Sequence, residues 1–381
     1  MELNLTVQER DFRDSVRKWL SEVELPEGLR DYGATPTFDD IAAAREWQRL
    51  LFDSGYAGLS WPQEHGGAGS TVIERGIWAE ETARASVPQQ LNLVGPELAG
   101  PMIMEFGTEA QKAEHLPSIL SGGRVWCQLF SEPEAGSDLA GIVTRAKATN
   151  EGWRVSGQKI WSSGAHYSDY GLLLARTASG DRPHQGLSVF LVPMNRSGID
   201  VRPMKQMDGQ VKFNEVFLDD VVVLEDELLG QVDQGWSVAL ATLGRERIMI
   251  GASAIRFIKS LHDLWREMDR RDIANDALLR DEWAKLWSRT QLLRLYWYRL
   301  LSTMESAQDS RTSLLKVYGT ELDRDLTIFA SHVLGEDAVA GSEYREWRLR
   351  WLAAPAQTIA GGTSEIQRNI IARRVLGLPR D

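Results

Sequence analysis

The chain has 381 residues, 43% of them hydrophobic and 25% charged, with a formal net charge of −11. This composition excludes global disorder, and at about 100–200 residues per domain the length implies two or three domains or one large one. The acidic balance, with no dense Lys/Arg block, argues against a nucleic-acid or membrane-surface partner.

The chain opens in helical texture. Thr6 and Glu9 form a T-x-x-E capping box, after which Phe12, Val16, Trp19 and Leu20 fall on one face. The first residues, with Glu2, Glu9, Arg10 and Asp11, lack the apolar core of a signal peptide, and no run of about 18 apolar residues suggests a bilayer span. A cytoplasmic location is the expectation. Helical texture returns at Ile41–Ser54, Val72–Ala85, Glu97–Phe106 and Glu109–Ile119, with Gly66, Gly67 and Gly69 marking a loop between two of these segments. From about Val125 to Val223 the signals are those of strands. Trp153–Ser156 alternates, Tyr170–Ala175 and Leu187–Val192 are short apolar runs, and Val211, Phe213 and Phe217 share one parity. Beyond Asp233, long amphipathic stretches at Val238–Leu264, Asp281–Met304 and Ser313–Leu334 predict helices, and Thr363-Ser364-Glu365 suits the start of a last one. Helices, strands, then helices predict an α+β chain. The expected domains are an N-terminal α-helical domain (1–122), a central β domain (123–230) and a C-terminal four-helix domain (231–381).

Common catalytic signatures are missing. There is no G-x-G-x-x-G after a strand, no P-loop, no H-E-x-x-H and no G-x-S-x-G. The six histidines are scattered and Cys127 is the only cysteine, so neither a metal site nor an internal disulfide is expected. What remains is a set of longer blocks. Phe130-Ser-Glu-Pro-Glu-Ala-Gly-Ser-Asp-Leu-Ala-Gly141 is rich in small residues whose backbone can closely approach a planar or phosphorylated ligand; taken alone it also reads as a surface turn. Gly157-Gln-Lys-Ile-Trp-Ser-Ser-Gly164 sets an indole and hydroxyls at a strand end, or equally a buried Trp beside a turn. Phe213–Asp220 and Ile359-Ala-Gly-Gly-Thr-Ser-Glu-Ile-Gln-Arg368 are two more.

In this order and spacing, together with Leu59-Ser-Trp-Pro-Gln-Glu-His-Gly-Gly67 and Arg374-Val-Leu-Gly-Leu-Pro-Arg380, the blocks resemble the acyl-CoA dehydrogenase family over nearly the whole chain. The resemblance implies an FAD enzyme that oxidises an acyl-CoA thioester to the trans-2-enoyl-CoA. A base removes the α-proton, hydride passes to flavin N5, and electrons go on to an electron-transfer flavoprotein. It also implies roles for individual positions. Phe130, Ser131, Trp161 and Ser163 lie where relatives meet the flavin ring. Gly136 and Ser137 lie in the turn by the cofactor pyrophosphate and the bound thioester, and Thr363 and Glu365 where the last helix start nears flavin. Many members carry the base directly before the Gly-Thr of the last block, where this chain has Gly361. A second subclass takes its Glu from a C-terminal helix within a Glu-Arg pair, and Gly244-Arg-Glu-Arg-Ile248 supplies one. The implied base is Glu246, with Arg247 and Gly361 beside the thioester. For an isolated Glu on a charged helix, a solvated ion pair is the ordinary alternative.

Two family features are absent. No Arg-x-x-Phe-Gly appears in Met268–Asp276, and no Gln followed by Gly-Gly appears in Ser331–Glu336. In homotetrameric members both segments reach the neighbour's flavin. Their loss predicts an α2β2 heterotetramer in which a related subunit supplies them. This pattern is similar to the bacterial enzymes that shorten steroid side chains, and it makes a ring-bearing acyl-CoA a candidate substrate. A homotetramer holding FAD through other residues stays open. So do an acyl-CoA or nitroalkane oxidase and a non-catalytic partner subunit.

Overall fold

A computed structural model describes residues 5–29, 40–91, 93–303, 309–340 and 342–379. The expected helix end at Met304 and the terminal Arg380 lie outside these residues. The helices are α1 (Val7–Glu22), α2 (Ile41–Asp53), α3 (Val72–Ala85), α4 (Gly100–Phe106) and α5 (Glu109–Leu120) before the strands. After the strands come α6 (Gly235–Arg270), α7 (Ala277–Thr303), α8 (Thr312–Leu334), α9 (Asp337–Ala340), α10 (Arg345–Gln357) and α11 (Ser364–Ile370). Between the two sets run β1 (Trp126–Leu129), β2 (Arg145–Thr149), β3 (Gly152–Lys159), β4 (Tyr170–Arg176), β5 (Leu187–Pro193), β6 (Ile199–Met204), β7 (Phe213–Leu224) and β8 (Leu228–Leu229). The α+β order expected from the sequence is the one observed.

The Thr6–Glu9 capping box forms as expected, with the Thr6 hydroxyl accepting from the Glu9 amide and the Glu9 carboxylate accepting from the Thr6 amide. Thr108 and Gln111 build a second box at the start of α5, which the sequence reading did not single out. Glu97–Phe106 is not one regular helix. Residues 94–99 wind with wider π spacing before α4 begins, with Pro96 and Pro101 in the stretch. Proline carries no amide proton to complete a regular α-helical ladder, so the wider turn is the local solution.

The chain divides into two units. One, here the mixed unit, comprises residues 24–71 and 87–243; the other, the helical unit, comprises residues 1–23, 72–86 and 244–381. The mixed unit is built on one sheet of order β6-β7-β3-β2-β4-β5-β8, with β1 added parallel to β4. Both faces of β4 and β5 are covered, which explains why their sequences are unbroken apolar runs rather than alternating ones. Leu172, Leu174, Leu187, Val189 and Leu191 point to a core shared with Met102, Ile103 and Leu116 of α4 and α5. Leu173, Ala175, Phe190 and Val192 point to a second core with Val155 and Val216. On β7 the buried residues are Asn214, Val216, Leu218, Val221 and Val223, not the Phe213/Phe217 parity that marked the strand in the sequence. Those two rings are instead capped: the Arg202 guanidinium lies 4.3 Å above Phe217, and Trp161 stands edge-on to Phe213 at 6.0 Å.

In the helical unit, α6, α7 and α8 share a core that includes Leu261, Leu264, Leu293, Leu315, Leu322 and Phe329. α1 and α3 belong to the same unit, and Arg17 of α1 makes two 2.9 Å bonds to Glu81 of α3. Gly76 of α3 lies against Tyr298 of α7 so closely that a Cβ there would fall 2.0 Å from the phenolic oxygen.

One buried ion pair organises the loop after β1. Lys159, at the end of β3, has no solvent exposure; its ammonium donates to Glu132 at 2.8 Å and to the Phe130 carbonyl at 3.0 Å. Glu132, 4% exposed, also accepts from the Val143 and Thr144 amides, so its carboxylate is enclosed by donors. Burial opposes the charge on Glu132, but Lys159 and these donors outweigh it and hold its pKa below the usual carboxylate value. Burial draws Lys159 down to about 8, Glu132 resisting the fall. Removing one member of such a pair strands the other charge, so Lys159→Met is expected to destabilise the protein by about 3–5 kcal/mol. Denaturant unfolding checks this; a loss below about 1 kcal/mol would show that the loop does not depend on the pair.

Candidate functional site

In the mixed unit, the strand ends bring together two of the blocks singled out in the sequence. Phe130 follows β1 and is buried, and the Ser131 carbonyl accepts the Ile160 amide at 2.9 Å. The Phe130–Ser131 backbone is thereby stitched to Lys159-Ile160, directly before Trp161. Beyond the bridge between Glu132 and Ala135 the loop turns outwards, and Gly136 and Ser137 are exposed. No atom lies within 4 Å of where a Gly136 Cβ would sit, so that edge of the loop is open to an approaching group.

Trp161 is not the buried tryptophan that one reading of its block allowed. It is 57% exposed, and its backbone is left-handed at φ 58°. A non-glycine residue in that region costs of order 1–3 kcal/mol and persists only when its neighbours over-determine it. The neighbours here do so. The Ser162 amide donates to the Asn214 carbonyl, the Asn214 side chain donates to the Ser162 carbonyl at 2.7 Å, and the Gly164 amide donates to the Lys212 carbonyl. Ser163 is half-buried in this frame, while the fully buried Ser162 hydroxyl has no hydrogen-bond partner among the described residues. An exposed indole on a rigid strand end, beside a loop of small residues, is a surface for a flat aromatic ligand.

In the helical unit, Glu246 and Arg247 lie on α6, and Gly361 lies in the loop after α10. A Cβ built on Gly361 would fall 3.1 Å from Glu246 Oε1 and 3.3 Å from its Cδ, so the glycine backbone packs directly on the carboxylate. Gly361 and Gly362 take φ of 66° and 95°, a turn glycine enters without penalty. The turn is fastened at both ends. The Lys316 ammonium of α8 donates to the Thr358 carbonyl at 2.8 Å, and the Gln367 side chain of α11 donates through Nε2 to the Gly361 carbonyl at 2.8 Å. Lys316 and Gln367 are both fully buried. Neither stood out in the sequence, where a lysine on an amphipathic helix looks like a solvated residue. The Thr363 hydroxyl caps α11 by accepting the Ile366 amide, and exposed Glu365 sits in its first turn. Thr363, Ser364 and Glu365 line a pocket of about 300 Å³ with Ile359, Arg324 and Arg368.

The electrostatics of Glu246 are those of a basic carboxylate. Burial raises its pKa above the ordinary value, while Arg247 and Lys316 pull it back. Burial lowers Arg247, which Glu246 supports and Arg374 opposes, and its buried Nε finds no partner among the described residues. A guanidinium nitrogen left in this state fits an incoming acceptor such as a thioester carbonyl or phosphate.

Where the family's two neighbour-reaching segments are missing, the helical unit holds an internal ion network. Glu267 accepts from Arg270, Arg271 and the Tyr344 hydroxyl, and Arg271 also reaches Asp337 at 2.7 Å and the Leu334 carbonyl at 3.1 Å. The arginines, led by Arg270, hold the Glu267 carboxyl down at about 2. Among the described residues there is no group of three or more His, Cys, Asp or Glu that could hold a metal, and no helix long and apolar enough to cross a membrane.

Comparison with known proteins places these features in one family. Residues 6–123, 127–221 and 233–376 match the N-terminal, middle and C-terminal domains of acyl-CoA dehydrogenase. The chain is 37% identical to acyl-CoA dehydrogenase IpdE1 of Mycolicibacterium smegmatis, over 98% of this chain and 99% of that protein. It is 38% identical to IpdE1 of Mycobacterium tuberculosis, over 97% and 98% respectively. Among solved structures it superposes on the Tcur3481-Tcur3483 steroid ACAD with TM-score 0.88 at 27% identity, covering all of both chains. It superposes on the ChsE4-ChsE5 complex from Mycobacterium tuberculosis with TM-score 0.84 at 27% identity, again over all of both chains. With all three domains matched end to end, the chain belongs to the acyl-CoA dehydrogenase family and is an FAD-dependent acyl-CoA dehydrogenase.

Proposed function

We propose that Glu246 is the base that removes the α-proton of an acyl-CoA thioester, giving the trans-2-enoyl-CoA. The observation that carries this reading is the packing of Gly361 on the Glu246 carboxylate. The family's other base position is a glycine whose missing side chain leaves room for a carboxylate delivered from α6. The raised pKa of Glu246 supports it further, since a stronger base is better matched to a weakly acidic carbon. It also weighs against a non-catalytic subunit, which has no need of a partly buried carboxylate in this place.

FAD, when bound, supplies the acceptor for the β-hydride. The residues proposed to hold it are Phe130, Ser131, Gly136, Ser137, Trp161 and Ser163 in the mixed unit, and Thr363 and Glu365 in the helical unit. The exposed indole and the open loop edge fit the flat ring and its phosphates. Ser137, Arg247 and Gly361 are proposed to meet the substrate, with Arg247 drawing electron density from the thioester carbonyl as the α-carbon loses its proton. Glu246 must be ionised to act. Activity is therefore present above its raised pKa and lost as pH falls through it.

We further propose that the enzyme works as an α2β2 heterotetramer with a related subunit, on a bulky acyl-CoA of steroid origin, passing electrons to an electron-transfer flavoprotein. Arg270 and Arg271 are committed to Glu267, Tyr344 and Asp337, and so are not free to grip a neighbour's phosphate. Relatives named as steroid acyl-CoA dehydrogenases and as a two-component complex point the same way.

Glu246→Gln keeps the shape and removes the base; turnover is expected to fall by at least about 10³-fold with flavin retained. Activity within about tenfold of wild type in stopped-flow flavin reduction would overturn the assignment. Gly361→Val places a branched side chain in left-handed backbone against the carboxylate. It is expected to lower kcat by about 100-fold or more, a rise of about 3 kcal/mol in the barrier. Native mass and flavin absorbance of the protein co-expressed with its partner should give two FADs per four chains. A homotetramer loaded with one FAD per chain would exclude the split arrangement.

A further inference from the structure

A lysine stripped of solvent beside a catalytic carboxylate has a reason to be there. Lys316 stands on α8 with no exposed surface, and its one hydrogen bond among the described residues is to the Thr358 carbonyl. Thr358 opens the turn that ends at Thr363 and lays Gly361 against Glu246; the Ser364 amide donates to the same Thr358 carbonyl. Lys316 thus holds the base of the turn whose glycine packs on Glu246, and its charge acts on that carboxylate. A methionine would fill the same space without the desolvation that an ammonium suffers, so packing alone does not account for a lysine here.

Resting on the assignment of Glu246 as base, we propose that Lys316 is a positioning residue that keeps the Glu246 carboxylate ionised at working pH and fixes the glycine turn against it. The charged groups around the pair are Arg247 from α6, Glu321 from α8 and Glu365 from α11, with Arg374 acting on Arg247. Lys316 itself is drawn by burial to about 8, so it remains mostly protonated at neutrality. Its cation opposes the rise that burial imposes on Glu246.

The test is the pH profile of kcat/KM for Lys316→Met, Lys316→Gln and Lys316→Arg in the flavin-loaded enzyme with its partner subunit, on an acyl-CoA that the wild type oxidises. Loss of the cation is expected to move the acid limb up by about one pH unit or more in the two neutral variants, since an opposite charge nearby shifts a carboxylate by roughly 1–3 units. Lys316→Arg keeps the charge, and its limb should stay within about 0.3 unit of wild type. A neutral variant that is slower with an unmoved limb reduces Lys316 to packing and overturns the proposal. If neither neutral variant folds, Lys316→Arg decides: an unmoved limb supports the proposal, and a limb shifted by a unit overturns it. Glu246→Gln separates the two layers. Turnover persisting in that variant removes the base assignment, whereas an inactive Glu246→Gln with unmoved limbs in Lys316→Met and Lys316→Gln removes only the role of Lys316.

Discussion

A fully buried lysine has to find acceptors for its protons and a negative charge for company, and in each unit of this protein one such lysine decides where a loop goes. In the mixed unit Lys159 takes the Phe130 carbonyl and the Glu132 carboxylate. In the helical unit Lys316 takes the Thr358 carbonyl, at the start of the turn that lays Gly361 against Glu246. Both devices use the expense of a desolvated ammonium to immobilise loop backbone. The loop from Phe130 to Ser137 and the turn from Thr358 to Thr363 have few apolar side chains of their own to anchor them. Without a central tie they would be ordinary glycine-rich surface segments.

Much of this was legible in the sequence, and the limits have physical causes. Helix ends with local chemistry were plain, as in the Thr6–Glu9 box, whose partners lie three residues apart. Doubly covered strands announced themselves as apolar runs, as in Leu187–Val192. What misled was any feature whose outcome depends on distant partners. The Phe213/Phe217 parity looked like a core face, yet both rings are covered by an arginine and a tryptophan from elsewhere in the fold. Trp161 sits in a block that equally allowed a buried indole, because nothing local reveals a left-handed backbone held by Asn214 some fifty residues on. The candidate base was found only through family register. Its supports, Lys316 and Gln367, were missed because a charged or amide side chain on a helix carries no local sign of being buried.

The same contrast runs through the question of assembly. The arginines of Met268–Asp276 stay within the chain: the guanidinium groups of Arg270 and Arg271 both serve Glu267, a carboxyl held at about 2. A basic residue closed into an intramolecular network is electrostatically spent. In the helical unit this segment braces α6 against α9 and the start of α10.

The contact between Gly361 and Glu246 bears on what position 361 can hold. Any side chain rooted at position 361 begins about 3 Å from the oxygen of a carboxylate rooted on α6. The two backbones therefore converge on one small space. An acidic side chain introduced at position 361 would crowd and repel the Glu246 carboxylate, so this place in the fold suits one carboxylate and not two.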